Sequence, residues 1–172
     1  MAILDHLIIR AARLEDLDVL VQFSAAMALE TESRTLDEER LRQGTAAVFE
    51  SPDRGFYRVA VLPGPPMDRV IGQLLVTFEW SDWRNATFWW IQSVYVHPEW
   101  RQKGVYRRLH ESVLQEARSR KDVCGLRLYV EQGNRNAQTA YKGVGLARSA
   151  YQVFEEDFVL SRGTEKILRK EN

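Results

Sequence analysis

A run of cations beside a glycine turn is the first chemistry this chain offers. Between residues 101 and 121 stand seven Lys or Arg (101, 103, 107, 108, 118, 120, 121) against two Glu (111, 116). That is a local charge of +5 in a chain whose 24 basic and 24 acidic residues cancel. The stretch Ser93-Val-Tyr-Val-His-Pro-Glu-Trp-Arg101-Gln-Lys-Gly-Val-Tyr106-Arg-Arg-Leu109 leads into it. It reads as a buried strand, a proline turn, and a basic loop opening a helix. A helix N-terminus offers unpaired N–H groups and a positive dipole end, which suit an anionic phosphate. Gly104 would let the backbone come close to that phosphate. A solvated helix face behind a glycine turn accounts for the charge equally well.

A second chemical feature is aromatic. All five tryptophans fall at 80, 83, 89, 90 and 100, and Phe78-Glu-Trp-Ser-Asp-Trp-Arg-Asn-Ala-Thr-Phe-Trp-Trp90 mixes rings with charge. One reading is an acceptor pocket with aromatic walls, where Glu79 or Asp82 attracts an amine with cation–π help. The other is a core or dimer contact built from large residues. Trp89 and Trp90 are adjacent on a strand, so they face opposite sides and cannot both line one pocket.

The elements that must position these features follow from spacing. A strand is predicted over 7–12, and a helix from Leu14 to about Glu30 with Leu17, Leu20, Val21, Phe23 and Met27 on one side. A second helix runs from Leu36 or Asp37 to Phe49. Strands over 56–62 and 70–78 flank the Pro63-Gly-Pro-Pro66 turn and form an antiparallel hairpin. Thr87–Val96 is apolar on nearly both faces, as a central covered strand should be. A helix from Gly104 to about Arg120, a strand over 125–130, a short helix over 134–142 and a last strand over 151–160 complete the order β-α-α-β-β-β-α-β-α-β. The fold class is α/β, a mixed sheet of about six to seven strands flanked by about four helices.

At 172 residues and 20.0 kDa the chain suits one domain over 1–160 with a charged tail over 161–172. Zero net charge argues against a broad nucleic-acid or membrane surface, although the +5 helix keeps an RNA-directed reading on the page. A single cysteine, Cys124, excludes an internal disulfide and a cysteine zinc cluster, and His6, His97 and His110 are too scattered for a metal pair. No basic, apolar leader opens the sequence, and no apolar run approaches the ~18 residues of a membrane span. The expectation is a soluble, cytoplasmic protein without a metal.

The loop Arg101-x-x-Gly104 with the preceding Val-x-Val-His-Pro resembles the acetyl-CoA-binding motif of the GCN5-related N-acetyltransferase superfamily, Arg/Gln-x-x-Gly-x-Gly/Ala. Tyr106 departs from it where a small residue is usual. Downstream, Asn134-Arg-Asn-Ala137-Gln-Thr-Ala-Tyr141-Lys-Gly-Val-Gly145-Leu resembles the family's Asn-x-x-Ala-x-x-x-Tyr-x-x-x-Gly-Phe, with Leu146 for the aromatic residue. The element order matches from about residue 7 to 160.

The resemblance implies roles. Val94, Tyr95 and Val96 run beside the pantetheine arm of acetyl-CoA, the acyl donor. Arg101, Gln102, Lys103, Gly104, Val105 and Tyr106 cradle the pyrophosphate, mainly through backbone N–H groups. Tyr106's phenol must then point outwards or sideways. Asn134 hydrogen-bonds the arm, Ala137 leaves room for it, and Tyr141 protonates the departing thiolate or hydrogen-bonds it. Many relatives carry a glutamate base where this chain has Trp90 and Gln92, and glutamine cannot take a proton. Glu79, ending the neighbouring strand, is the preferred base, with Asp82, Glu131 or an amine that arrives deprotonated as alternatives. The implied activity is transfer of an acyl group to a small-molecule or protein amine. The alternative is a CoA-binding sensor or partner-binding module, and a homodimer contact is the further partner considered.

Overall fold

The computed structural model describes residues 6–65 and 67–160. In order come β1 (Ile8–Ala11), α1 (Leu17–Glu32), α2 (Glu38–Glu50), β2 (Gly55–Leu62), β3 (Arg69–Ser81), β4 (Ala86–Val96), α3 (Val105–Ser119), β5 (Val123–Arg127) and α4 (Arg135–Gly143). Single 3-10 turns precede α1, at Leu14–Asp16, and follow β4, at Pro98–Trp100. The strands lie in sequence order β1-β2-β3-β4-β5; β1 to β4 are antiparallel and β5 joins β4 in parallel. The parallel step is the strand–helix–strand crossover through α3 that the sequence implied.

Two apolar layers sandwich this sheet. Leu20 of α1 packs with Tyr57, Val59 and Val61 of β2, and Val48 and Phe49 of α2 close that side. On the other face Val105, Leu109, Val113 and Ala117, one stripe of α3, meet Ile71, Leu74, Val76, Trp89 and Ile91. Gly72 makes this docking close. A Cβ there would stand 3.3 Å from Val105 Cγ1 and 3.2 Å from the Tyr95 carbonyl oxygen, tighter than ordinary contacts. The head of α3 therefore sits directly on the end of β4.

The apolar run of β4 is not a strand buried on both faces throughout. Leu75 pairs with Ser93 and Val76 with Ile91, so Gln92 is an extra residue, a β-bulge. The bulge reverses the alternation. Trp89 and Ile91 face α3 before it, and Val94 and Val96 face α3 after it. Trp89 is accordingly in the core, while Trp90 looks to the opposite side.

The sheet has five strands among the described residues rather than six to seven. Residues 151–160, expected as a last strand, pair with no strand among the described residues. The physical reason is local. The Asp157 carboxylate accepts the N–H groups of Val159 and Leu160 at 2.7 and 2.8 Å, an Asx-type turn that stops an extended run. The residues before it, Tyr151–Glu156, have no strand beside them among the described residues. The tail over 161–172 lies outside the described residues.

Candidate functional site

The β4–β5 ladder is short. It begins at Thr87↔Val123 and ends at Trp90↔Arg127, whereas β4 runs on to Val96. From Ile91 to Val96 the strand is hydrogen-bonded to β3 on one side only, among the described residues. Backbone donors and acceptors on the other side face a gap between diverging strands, a place where an extended polar ligand can supply the missing ladder.

The gap opens towards the loop before α3. Two residues there lie in the left-handed region, Gln102 at φ 61° and Gly104 at φ 84°. Both turn the backbone sharply into the head of α3, whose first N–H groups lack an acceptor within the helix, a setting that favours anions. Gly104 is the N-cap of α3 and has no side chain to cap it. A Cβ built there meets nothing within 4 Å, so the space over it is open. The left-handed Gln102 carries no signal in the sequence, because glutamine is not a residue that announces positive φ.

The Arg101 side chain turns away from that opening. Its Nε–H donates to the Val96 carbonyl at 2.8 Å, its NH2 group donates to Glu30 of α1 at 2.7 Å, and its guanidinium lies 5.2 Å from the Tyr95 ring centre. Tyr95 donates its hydroxyl to the same Glu30 at 2.9 Å. Arg101 and Tyr95 thus moor the loop to α1. What they leave for a phosphate is the backbone of 102–106 and the exposed Lys103, whose ammonium sits 4.9 Å from the Trp100 ring centre. Nothing in the sequence singles out Glu30, because a carboxylate near the end of a distant helix carries no local motif.

Tyr106 departs from expectation. Its hydroxyl is buried without a hydrogen-bond partner among the described residues, and its ring meets that of Tyr141 edge-on with centroids 5.5 Å apart. It turns inwards, because the inner side offers aromatic contact with Tyr141 and, at 5.9 Å, with His110. Burial, and secondarily the neighbouring Tyr141, pushes the Tyr106 phenol well above the ordinary tyrosine range. Burial also raises Tyr141, so its phenol keeps its proton at neutral pH. The structure therefore brings 106 and 141 together across the gap between α3 and α4. Asn134 is the N-cap of α4: its Oδ1 accepts the Ala137 N–H at 3.0 Å, which leaves its NH2 group as the side-chain donor.

A separate hollow of about 300 Å³ lies on the α1 side of the sheet, at the bulge. Thr77, Phe78, Glu79, Trp90, Gln92 and Tyr129 line it. Gln92 Nε2 donates to the Tyr129 hydroxyl at 2.7 Å, and the Trp90 and Tyr129 rings are 5.9 Å apart. Glu79 is ion-paired with Arg127, whose guanidinium stacks 3.6 Å from the centre of the Phe88 ring. Trp90 Nε1 is buried without a partner among the described residues. Of the other carboxylates considered, Asp82 is exposed in the β3–β4 turn, where it accepts the Trp83 N–H at 2.8 Å, and Glu131 is exposed before α4. Neither lines the hollow. Trp80 and Trp83 are solvent-exposed at the hairpin end and do not line it either.

Comparison with known proteins fits this geometry. The model of the acetyltransferase (GNAT) family matches residues 23–146, most of the chain. A crystal structure described as a possible acetyltransferase from Clostridium difficile 630 is 37% identical, with a TM-score of 0.81 over 89% of this chain and 98% of that one. The fold is shared with aminoglycoside N-acetyltransferase AAC(6')-Iy in complex with CoA, at 14% identity and a TM-score of 0.70 over 89% of this chain and 95% of that one. It is shared also with ribosomal-protein-alanine N-acetyltransferase from Brucella melitensis biovar Abortus 2308, at 14% identity and a TM-score of 0.68 over 88% and 99%. None of the curated proteins matches the chain. A strand edge left open beside a bulge, a left-handed glycine loop at the head of α3 and a match across residues 23–146 converge on one conclusion: the chain belongs to the acetyltransferase (GNAT) family.

Proposed function

We propose that this chain transfers an acetyl group from acetyl-CoA to a primary amine by direct attack on the thioester. The observation that carries the reading is the β4 edge from Ile91 to Val96, which runs without a β5 neighbour into the open, left-handed turn at Gly104. The pantetheine arm completes that edge, with the Asn134 NH2 group and the small Ala137 beside it. The pyrophosphate meets the N–H groups of 102–106. The amine nitrogen, seated in the hollow, attacks the thioester carbon, and a β4 N–H near Val94–Tyr95 stabilises the oxyanion. The C–S bond then breaks, Tyr141 gives its proton to the thiolate, and the amine proton passes to Glu79. The products are the amide and the free CoA thiol. Among the described residues no helix is long and apolar enough to cross a membrane, in keeping with a freely diffusing enzyme of the cytoplasm.

One set of contacts favours the second reading, a CoA-binding sensor. Glu79 is held by Arg127, Gln92 occupies the bulge, and Tyr106 closes on Tyr141. Thiol release from acetyl-CoA, followed over a panel of primary amines, separates the two. Amine-dependent release supports the transferase, with Glu79→Gln slowing it and steepening its rise with pH. Tight CoA binding without release under any amine supports the sensor.

A further inference from the structure

We propose that Glu30, in the last turn of α1, is a positioning residue for the acyl donor: its carboxylate holds the Arg101 side chain against the end of the open β4 edge and so sets the affinity for CoA without touching it. The inference rests on the donor site proposed above.

The backbone of β4 shows what Arg101 does there. The His97 N–H donates to the Ile71 carbonyl at 2.9 Å, so residue 97 faces β3. On an antiparallel strand the N–H and C=O of one residue point the same way, and neighbouring residues alternate. Val96 and Val94 therefore turn their N–H and C=O groups to the free side. The Val96 carbonyl is the acceptor that Arg101 Nε–H takes at 2.8 Å. A side chain thus closes the free edge with one rung and leaves the Val96 N–H and both groups of Val94 to an extended ligand. The same rung fixes the start of the turn through Gln102 and Gly104.

Glu30 keeps that rung in place. Its Oε2 accepts from the Arg101 NH2 group at 2.7 Å, and its Oε1 accepts the Tyr95 hydroxyl at 2.9 Å. The two bonds hold the carboxylate from both sides. The fork formed by Nε and NH2 is spent on Val96 and Glu30, so Arg101 acts on the loop and not on the phosphate. Without the carboxylate the guanidinium keeps one neutral acceptor and the Tyr95 ring, and a long, partly exposed side chain gains entropy by swinging away.

Helix α1 gives no reason of its own for this residue. Its last turn holds no basic side chain, and a carboxylate there opposes the helix dipole. The contact that accounts for Glu30 lies 71 positions away in the sequence, at Arg101.

Calorimetry with CoA on the full chain tests the role, with a thermal melt of each preparation. Glu30→Ala should weaken the CoA dissociation constant roughly three- to tenfold, the scale of a partly exposed charge-assisted contact. The melt should hold, since the helix loses an unfavourable charge. Arg101→Ala should weaken binding at least as far, and the double variant no further than Arg101→Ala, because Glu30 acts through Arg101. Arg101→Lys should not restore binding, since an ammonium lacks the planar fork that reaches Val96 and Glu30 together. In turnover the loss should appear in the KM for acetyl-CoA and not in that for the amine, as Glu30 does not line the hollow. Three results overturn the proposal: a Glu30→Ala chain that binds CoA as the wild type does or more tightly, a double variant weaker than Arg101→Ala by the whole Glu30→Ala factor, or wild-type binding in Arg101→Lys. A wild-type chain that binds no CoA refutes the transferase reading instead. Amide exchange of the free protein then decides: Glu30→Ala should speed exchange between Arg101 and Tyr106, and unchanged exchange there overturns the positioning role.

Discussion

Gly104→Ala separates folding from binding at the head of α3. The residue stands at φ 84° and a Cβ there touches nothing within 4 Å, so the folded protein meets only backbone strain. An L-residue in the left-handed region costs roughly 1–2 kcal/mol. For a chain of this size that lowers the melting midpoint by about 2–8 °C. Binding suffers separately. A methyl group in the open space holds a phosphate away from the N–H groups of the loop, and losing one charge-assisted hydrogen bond costs about 1.5–3 kcal/mol. At 1.4 kcal/mol per tenfold this is roughly a 10- to 150-fold weaker CoA dissociation constant. Calorimetry with CoA and a thermal melt of the same preparation read the two effects. A variant that melts lower but binds CoA as the wild type does would show that the space over Gly104 is not where phosphate lies, and the reasoning would fail there.

Three further outcomes follow from the same geometry. Tyr141→Phe should lower turnover roughly 10- to 100-fold with little change in acetyl-CoA KM, the low end of general-acid effects because a thiol of pKa about 8.5 leaves readily. Since burial raises Tyr141, the wild-type rate should show no falling limb below the ordinary tyrosine value of about 10, as a pH–rate profile will read. Tyr106→Ala removes an edge-on ring contact of about 0.5–1.5 kcal/mol that joins α3 to α4 over the proposed donor site. Calorimetry should therefore find CoA bound about two- to tenfold more tightly; weaker binding would make Tyr106 a donor contact instead. His110 is 1% exposed with neither ring nitrogen hydrogen-bonded among the described residues, and burial lowers its pKa. The unfolded chain then takes up a proton near 6.5 that the folded chain refuses, so wild-type stability falls as pH drops below 6.5 towards the lower folded value. His110→Leu should flatten that slope in urea titrations on either side of that pH.

The parts of this fold written in local pattern are those the sequence showed plainly. The α3 helix with its buried Val105, Leu109, Val113 and Ala117, the start of α2 near Asp37 and the proline turn between β2 and β3 depend on neighbours in sequence, and each stands where spacing put it. The loop at Gly104 belongs with them. What spacing could not show is how strands meet. The apolar run in β4 read as buried on both faces, yet it is two half-buried stretches whose alternation reverses at Gln92, and only the partner strand reveals the extra residue. Tyr106 and Tyr141 are 35 positions apart by number, and their ring contact depends on α3 and α4 converging. Glu79 was chosen for its place at a strand end, and the hollow does include it, but its Arg127 partner comes from the adjacent side of the sheet through β5. The last strand failed because residues 151–160 bunch their apolar side chains rather than alternating them, and the Asp157 turn ends the stretch locally.

The central claim is that the unpaired β4 edge and the curled loop hold the acyl donor, and amide hydrogen exchange with and without CoA tests it most directly. Slower exchange on CoA addition is predicted for amides between Ile91 and Val96 and between Gln102 and Tyr106, with the β1–β2 pair unchanged. Saturating CoA that leaves those two stretches exchanging as before, or that protects only a different face of the sheet, would contradict the account.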